Sequence, residues 1–163
     1  MLYVKIGSGI GCGIVAGRWI HRGAQGAAGD IGHVRLAGHD DVICRCGNIG
    51  CLEAVAGGRA LAANLTAAGL TAESSRDVVT LVRAGEPQAI QAVRDAGRYL
   101  GEVLAGCVNF FNPGAIVIGG DISEAHQQLL AGVREVIFQR SLPLATGGLR
   151  MLASRMGDRA GAI

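Results

Sequence analysis

The sequence predicts an α/β fold, and three observations predict it. Short strand-like runs open the chain. A long amphipathic helical segment then stops at a proline and feeds directly into the buried-type strand "AIVIGG". Helix and strand patterns alternate afterwards without internal repeats. Half of the 163 residues are hydrophobic but only 4% are aromatic, so the core must be aliphatic. The length fits one domain over residues 1–163.

The elements follow in order. "LYVKI" (residues 2–6) reads as a strand. "GIVAG" and "RWIHRG" are two short runs hinged near Gly17-Arg18, completing a hairpin. Between them and the first strand, "GSGIGCG" places glycine at 7, 9, 11 and 13 and reads as a loop. "GAQGAAGDIG" (23–32) is a glycine-rich loop, "HVRLA" a short strand, and 37–51 a turn-rich excursion. "LEAVAGGRALAANLTAAG" is helical with a break at Gly57-Gly58. "SSRDVVTLVRAG" starts at an N-cap serine, Ser74 or Ser75, and stops at a glycine.

The longest helix is "PQAIQAVRDAGRYLGEVLAGCVNFFNP", with Pro87 in its first turn and Pro113 ending it. Its apolar stripe is Ile90, Val93, Gly97, Leu100, Leu104, Cys107, Val108 and Phe111. Gly97, Gly101 and Gly106 each lower helix propensity by about 1 kcal/mol, so another element is expected to approach closely at each. A strand over "AIVIGG", a helix from near Ser123 to about Gln139, and a strand at "LRMLAS" complete the pattern. Asp158 is placed to cap one more helix.

Several function classes are excluded or disfavoured. A net charge of +2 is too small to argue for nucleic acid or anionic membrane. Arg18, Arg22, Arg35, Arg45, Arg76, Arg94 and Arg134 are scattered and read as solvated surface. The start lacks a basic segment followed by a long apolar run, and no window reaches the roughly 20 apolar residues of a membrane span. A cytoplasmic, reducing setting is expected, where clustered cysteines are metal ligands or catalytic thiols more often than disulfides.

The chemistry concentrates in "CRCGNIGC". Three of five cysteines, Cys44, Cys46 and Cys51, lie within eight positions. Gly47 and Gly50 permit the tight turns that bring three thiolates to one cation. A tetrahedral zinc needs a fourth ligand, and His33 is the strongest candidate, with His39 a competitor. The closed Cys₃His set of His33, Cys44, Cys46 and Cys51 describes a structural zinc rather than a catalytic one. Free cysteines in a turn, or a Cys46–Cys51 disulfide, are the alternatives. Cys12 and Cys107 read as buried small hydrophobes.

"GAAGDIGHVRL" followed by "CRCGNIGCLE" resembles the signature of the ROK family (repressors, open reading frames, sugar kinases). The pattern is a GxGxG hairpin loop, a Glu/Asp-x-Gly-His element, then C-x-C-G-x-x-G-C-x-E. All three stand here in order, and "NPGAIVIGGD" matches a later segment. The resemblance covers essentially the whole chain. It implies the actin-like ATPase (ribonuclease H-like) fold, and here its carboxy-terminal lobe only, with a zinc loop over 33–53. It implies zinc on His33, Cys44, Cys46 and Cys51. Sugar hydroxyls would be met by Asp30, His33 and Glu53, through charge-assisted hydrogen bonds from the carboxylates. Nucleotide would lie at Gly7, Ser8, Gly9, Gly119 and Gly120.

The departures from the pattern matter. Asp121 stands where family kinases carry glycine, and a carboxylate beside a polyanion argues against ATP. The kinases' amino-terminal Asp-x-Gly-x-Thr loop and their Asn-Asp catalytic pair have no counterpart here, so no catalytic residue is assigned. Asp30 replaces glutamate and draws its carboxylate back by about 1.5 Å, roughly one bond. These departures favour the sugar-sensing and dimerising lobe of a transcriptional regulator. Its partners would be a small-molecule sugar, a second copy, and DNA only through a winged helix outside these residues, with no membrane. The alternatives are half of an ATP-dependent glucokinase or N-acylhexosamine kinase, and a zinc-stabilised dimerisation module with a vestigial sugar site.

Overall fold

Five strands form one mixed sheet in the order β3-β2-β1-β4-β5 in the computed structural model, which describes residues 1–154. β1 (Leu2–Ile6), β2 (Ile10–Ala16) and β3 (Trp19–His21) run antiparallel. β4 (Ala115–Gly119) lies parallel to β1, and β5 (Arg150–Ala153) parallel to β4. The pairs Leu2↔Ile116, Val4↔Ile118 and Ile116↔Met151 set the register. Side chains alternate across a strand, so this register puts Leu2, Val4, Ile6, Ile116, Ile118 and Met151 on one face. All six are buried in the core, whereas Lys5 and Leu152 on the opposite face are exposed.

The hairpin differs from the sequence expectation in one respect. Only Gly7–Gly9 forms a turn, closed by Gly7 N–H donating to the Gly9 carbonyl at 3.0 Å. Gly11 and Gly13 lie within β2, paired with Lys5 and Tyr3. The hinge at Gly17-Arg18 is as expected, with φ of 55° and 70°, the left-handed pair whose twist suits a two-residue hairpin loop.

"HVRLA" is not a sheet strand. Ile31–His33 is one 3-10 turn, and beyond it Arg35 makes only an isolated bridge to Cys51. The segment's backbone is satisfied locally: Leu36 N–H donates to Gly50 at 2.8 Å, and Val34 accepts from Leu52 at 2.9 Å. An alternating pattern gives a strand only where a partner edge is within reach, and the excursion supplies its own partners.

The helices follow the punctuation. α1 (Leu52–Ala56) and α2 (Gly58–Ala67) break at Gly57. α3 (Ser75–Arg83) opens on a capping box between Ser74 and Asp77. α4 (Pro87–Phe111) carries Pro87 at its start and ends at Asn112, left-handed at φ 45°, just before Pro113. A 3-10 turn (Asp121–Ala125) leads into α5 (His126–Arg140), and a short α6 (Pro143–Thr146) follows.

α4 packs against α5, and Val93, Leu100, Leu104 and Val108 of its stripe are buried. Phe111 at the end of the stripe is half exposed. A Cβ on Gly97 would collide with the Leu129 carbonyl, and one on Gly101 would sit 2.9 Å from Val136. Gly106 faces open space, so close approach is realised at two of the three glycines. The helix expected at Asp158 lies outside the described residues.

Candidate metal centre and ligand pocket

The candidate metal centre is built by the turns of the excursion. Cys44 N–H donates to the Asn48 carbonyl at 2.7 Å, and Gly47 N–H returns to Cys44 at 3.0 Å. Gly47 and Gly50 adopt φ of 91° and 67°, which L side chains rarely take. Cys51 ends the excursion as the N-cap of α1. His33 arrives from the 3-10 turn on the other side.

The four donor atoms of His33, Cys44, Cys46 and Cys51 all lie within 4.8 Å of one another. Cys46 Sγ is 3.7 Å from Cys51 Sγ, and Cys44 Sγ is 3.7 Å from His33 Nδ1. A tetrahedral ion with metal–sulfur bonds of about 2.3 Å sets sulfur–sulfur edges of about 3.8 Å. The cluster could hold a metal ion in this way, and its donor chemistry is that of a structural zinc site. His39 is elsewhere, edge-on to Tyr99 of α4 with centroids 4.8 Å apart. The five cysteines are free thiols, and the 3.7 Å separation is far beyond a disulfide bond of about 2.05 Å.

The thiols are not equivalent. Cys46 is exposed and its pKa is lowered to about 7, first by the backbone hydrogen bond at Asn48 and then by the neighbouring thiols and His33. Burial pushes Cys51 up to about 12, reinforced by the adjacent Cys46 and Cys44. Burial likewise raises Cys12 to about 11 and lifts Cys107, which fits inert packing thiols.

Glu53 sits at the second position of α1, where it reaches back to the glycine turn. Its Oε2 accepts the Ile10 N–H at 3.1 Å, and its Oε1 accepts from Arg45 at 3.0 Å. Its side chain is 18% exposed. The Glu53 Cβ lies 3.5 Å from the place a Cβ on Gly32 would occupy, so Glu53 neighbours the Asp30–His33 element. Asp30 itself is exposed and lines a separate, mainly apolar cavity of about 330 Å³ with Cys12, Ile31, Cys107 and Phe111. His33 joins the metal cluster, Glu53 a second cavity of about 170 Å³. Those three residues therefore border one turn but do not line one cavity.

The expected nucleotide residues do meet. Parallel pairing of β1 with β4 brings Gly7, Ser8 and Gly9 beside Gly119 and Gly120 at the same end of the sheet. Gly120 is at φ 90°, and a Cβ there would strike the Ile6 backbone. Gly58 N–H ties down the Gly7 carbonyl at 2.7 Å. Two carboxylates crowd this turn. Glu53 packs against Gly9, and Asp121, which accepts the Ser75 hydroxyl at 2.8 Å, lies against Gly7. A cavity of about 360 Å³ beside Asp121 is bordered by Arg76, Thr80, Arg83 and Glu124.

Sequence reasoning missed Arg45 and Arg59. Arg45 reads as one of many surface charges, yet it grips Glu53 from between two cysteines of the cluster. Arg59, the second residue of α2, lies beside Ser8. Nothing in the spacing of either announces the contact.

The ROK family profile matches residues 1–163. The chain is 33% identical to the xylose repressor of Caldicellulosiruptor bescii over 175 residues, spanning 98% of this chain and 43% of the repressor. Among solved structures, a ROK family transcriptional regulator homologous to the E. coli MLC protein superposes with a TM-score of 0.88 at 32% identity, covering 98% of this chain and 42% of the regulator. A ROK hexokinase from Thermus thermophilus gives 0.77 at 36% identity, covering 98% and 53%. The chain thus spans about half the length of the relatives it matches. Its sheet and helices are those of the actin-like ATPase fold these neighbours share.

Proposed function

The chain belongs to the ROK family, and from that premise we propose that it is the sugar-sensing and dimerising lobe of a ROK-type transcriptional regulator, stabilised by a structural zinc. The chemistry of the glycine turn carries this reading. The Ile10 N–H faces the Glu53 carboxylate, and Asp121 lies against Gly7. A polyphosphate approaching this turn would meet two carboxylates at short range, which opposes its binding. The greater likeness to the MLC homologue, 0.88 against 0.77 for the hexokinase, points the same way.

Zinc on His33, Cys44, Cys46 and Cys51 would fix the excursion and hold Arg45 in place. Three thiolates ligate in the deprotonated form, which accords with a cytoplasmic, reducing setting. Sugar hydroxyls would be met by Glu53, Asp30 and His33. A carboxylate offers about four acceptor positions. Ile10 and Arg45 use two of those on Glu53, which leaves others for hydroxyls. Sugar would act by binding one of two lobe or dimer arrangements more tightly than the other. DNA would be read by a part of the protein outside these 163 residues.

The 36% identity to the hexokinase supports a second reading, half of an ATP-dependent sugar kinase. Titration calorimetry with glucose, xylose and N-acetylglucosamine, with and without ATP, tests both readings. The regulator reading expects a saturable sugar signal unchanged by ATP. ATP binding, or sugar-dependent ATP turnover by the longer protein, would overturn it. Silence with every sugar would leave only a dimerisation module.

A further inference from the structure

The chain holds three phenylalanines, and none of them enters the aliphatic core. Phe110 is 83% exposed, and Phe111 and Phe138 are each half exposed. Aromatic rings carry the largest apolar surface a side chain can bury, so leaving all three in water is costly for a lone molecule.

The fold gathers these residues from separate elements. Phe110 and Phe111 close α4, edge to face with ring centroids 5.2 Å apart. The neighbouring Asn109 ties that end of α4 to the link between α5 and α6. Its Nδ2 donates to the Arg140 carbonyl at 3.2 Å, and its Oδ1 accepts the Leu142 N–H at 3.4 Å. Phe138 stands two residues before Arg140. Leu142 is exposed, and Leu144 of α6 is 93% exposed. Single exposed apolar residues are ordinary, but several brought to one end of a molecule mark an interaction surface.

The charges beside the patch indicate what covers it. Glu102 of α4 and Arg140 at the end of α5 pair at 3.4 Å, both partly exposed. The pair is neutral as a whole, so it gives no purchase to a strongly acidic or basic partner. It is also a surface dipole. A twofold axis beside it sets two such dipoles antiparallel, so that Arg140 meets Glu102 of the partner subunit while apolar patch meets apolar patch.

We propose that this end of the molecule, with Phe110, Phe138, Leu142 and Leu144 at its centre and the Glu102–Arg140 pair at its rim, docks a second copy of this chain through a twofold interface. This rests on the dimerising reading above and gives it a surface. Aromatic residues are enriched in such interfaces, and charges at the rim fix register more than they add affinity. α4 ends where β4 begins, and β4 ends at Gly119, so the surface lies at the end of the sheet away from the glycine turn. Association there leaves the candidate ligand pocket open.

Sedimentation equilibrium on the protein over a concentration series tests this. The parent should be a dimer. Phe110→Asp and Leu144→Asp, made separately so that either serves if the other fails to fold, should each weaken the dimer by roughly a hundredfold, as loss of a central anchor does. An unchanged circular dichroism spectrum shows that the fold is kept. Charge reversal supplies the second arm. Glu102→Arg and Arg140→Glu should each weaken the dimer alone, because like charges then meet across the axis. Mixed in equal amounts, the two variants should form a heterodimer, since opposite charges then face each other at both places. That rescue cannot come from within one chain, where the repulsion persists in both variants. A dimer that survives Phe110→Asp and Leu144→Asp, or charge-reversed variants that associate no better mixed than alone, overturns the proposal while the dimerising reading stands. A parent that is monomeric at every concentration overturns both.

Discussion

Glu53 joins three parts of the site, and the magnitudes separate its roles. Its ion pair with Arg45 involves a partner that is 67% exposed, and pairs of that kind contribute about 0–1 kcal/mol after screening. A charged hydrogen bond to a bound hydroxyl in a sheltered pocket is stronger, about 1.5–3 kcal/mol. Glu53→Gln keeps the shape and removes the charge. It should therefore lower stability by less than about 1 kcal/mol. Sugar affinity should fall by roughly tenfold to a hundredfold, at about 1.4 kcal/mol per factor of ten. Denaturant melts and calorimetry on the same sample read both quantities. Equal affinity in the variant would reduce Glu53 to a tether for the glycine turn.

The same residue shows what local sequence can reveal. Three cysteines close together in the chain are close together in space whatever the fold, so the cluster that could hold a metal ion was legible from spacing. The position of Glu53 beside the Asp30–His33 element was suggested only by the resemblance. Arg45 and Arg59 were not legible, because their meaning depends on where α1 and α2 bring them. Arg45 looks like any exposed arginine until its contact with Glu53 is seen.

At the scale of the element, helices were easier to read than strands because helix punctuation is local. Ser74, Pro87 and Pro113 act within one turn of chain. "HVRLA" alternates like a strand, but its outcome was decided by Gly50 and Leu52, which offer backbone partners from the excursion. The α3 capping box gives a pH prediction. The carboxyl of Asp77 is held below its ordinary 3.8, first by the Ser74 hydroxyl and then by the N–H of Glu73. A depressed carboxylate contributes stability that is full above the unfolded value and lost as pH falls through the folded one. Asp77→Asn should therefore melt lower than the parent at pH 7, with the gap closing below pH 3.8. A gap that persists unchanged at pH 2 would show that charge is not the cause.

The contact between α4 and α5 gives a sharper test. Gly97 allows the Leu129 carbonyl and Gly132 to approach the α4 backbone. Alanine is the better helix former by about 1 kcal/mol, so an isolated helix would gain from Gly97→Ala. Here the added methyl meets backbone, which cannot rotate away, and overpacking of this kind typically costs about 1–3 kcal/mol. The packing penalty should win, and thermal melts should show net destabilisation. Gly106→Ala, which faces open space, should instead stabilise by up to about 1 kcal/mol. Opposite signs in one helix would confirm that α5 dictates where glycine is needed.

For the whole molecule, the question is how far a metal held by this cluster would support the fold. The main core of β1, β4, α4 and α5 contains none of the four ligands, and its buried Leu100, Leu104 and Ile116 pack independently of them. The cluster instead links the 3-10 turn at His33 to Cys51, the N-cap of α1, and so to Leu52, which is fully buried. Small metal domains without a core unfold completely when the metal leaves. A domain with its own core should lose only the region the metal clamps. Cys46→Ser should therefore abolish metal binding and sugar response together. The Tm should fall by roughly 10 °C, equivalent to about 3–4 kcal/mol in a chain of this size. Hydrogen exchange should place the loss. The amides of Cys44, Gly47 and Gly50, now bonded within the excursion, should exchange freely, while those of α4 keep their protection. A variant with parental melting and one equivalent of metal would show that three ligands suffice. Uniform loss of protection across α4 would show instead that the main core depends on the metal loop, because a clamp on α1 alone cannot melt a helix held by α5.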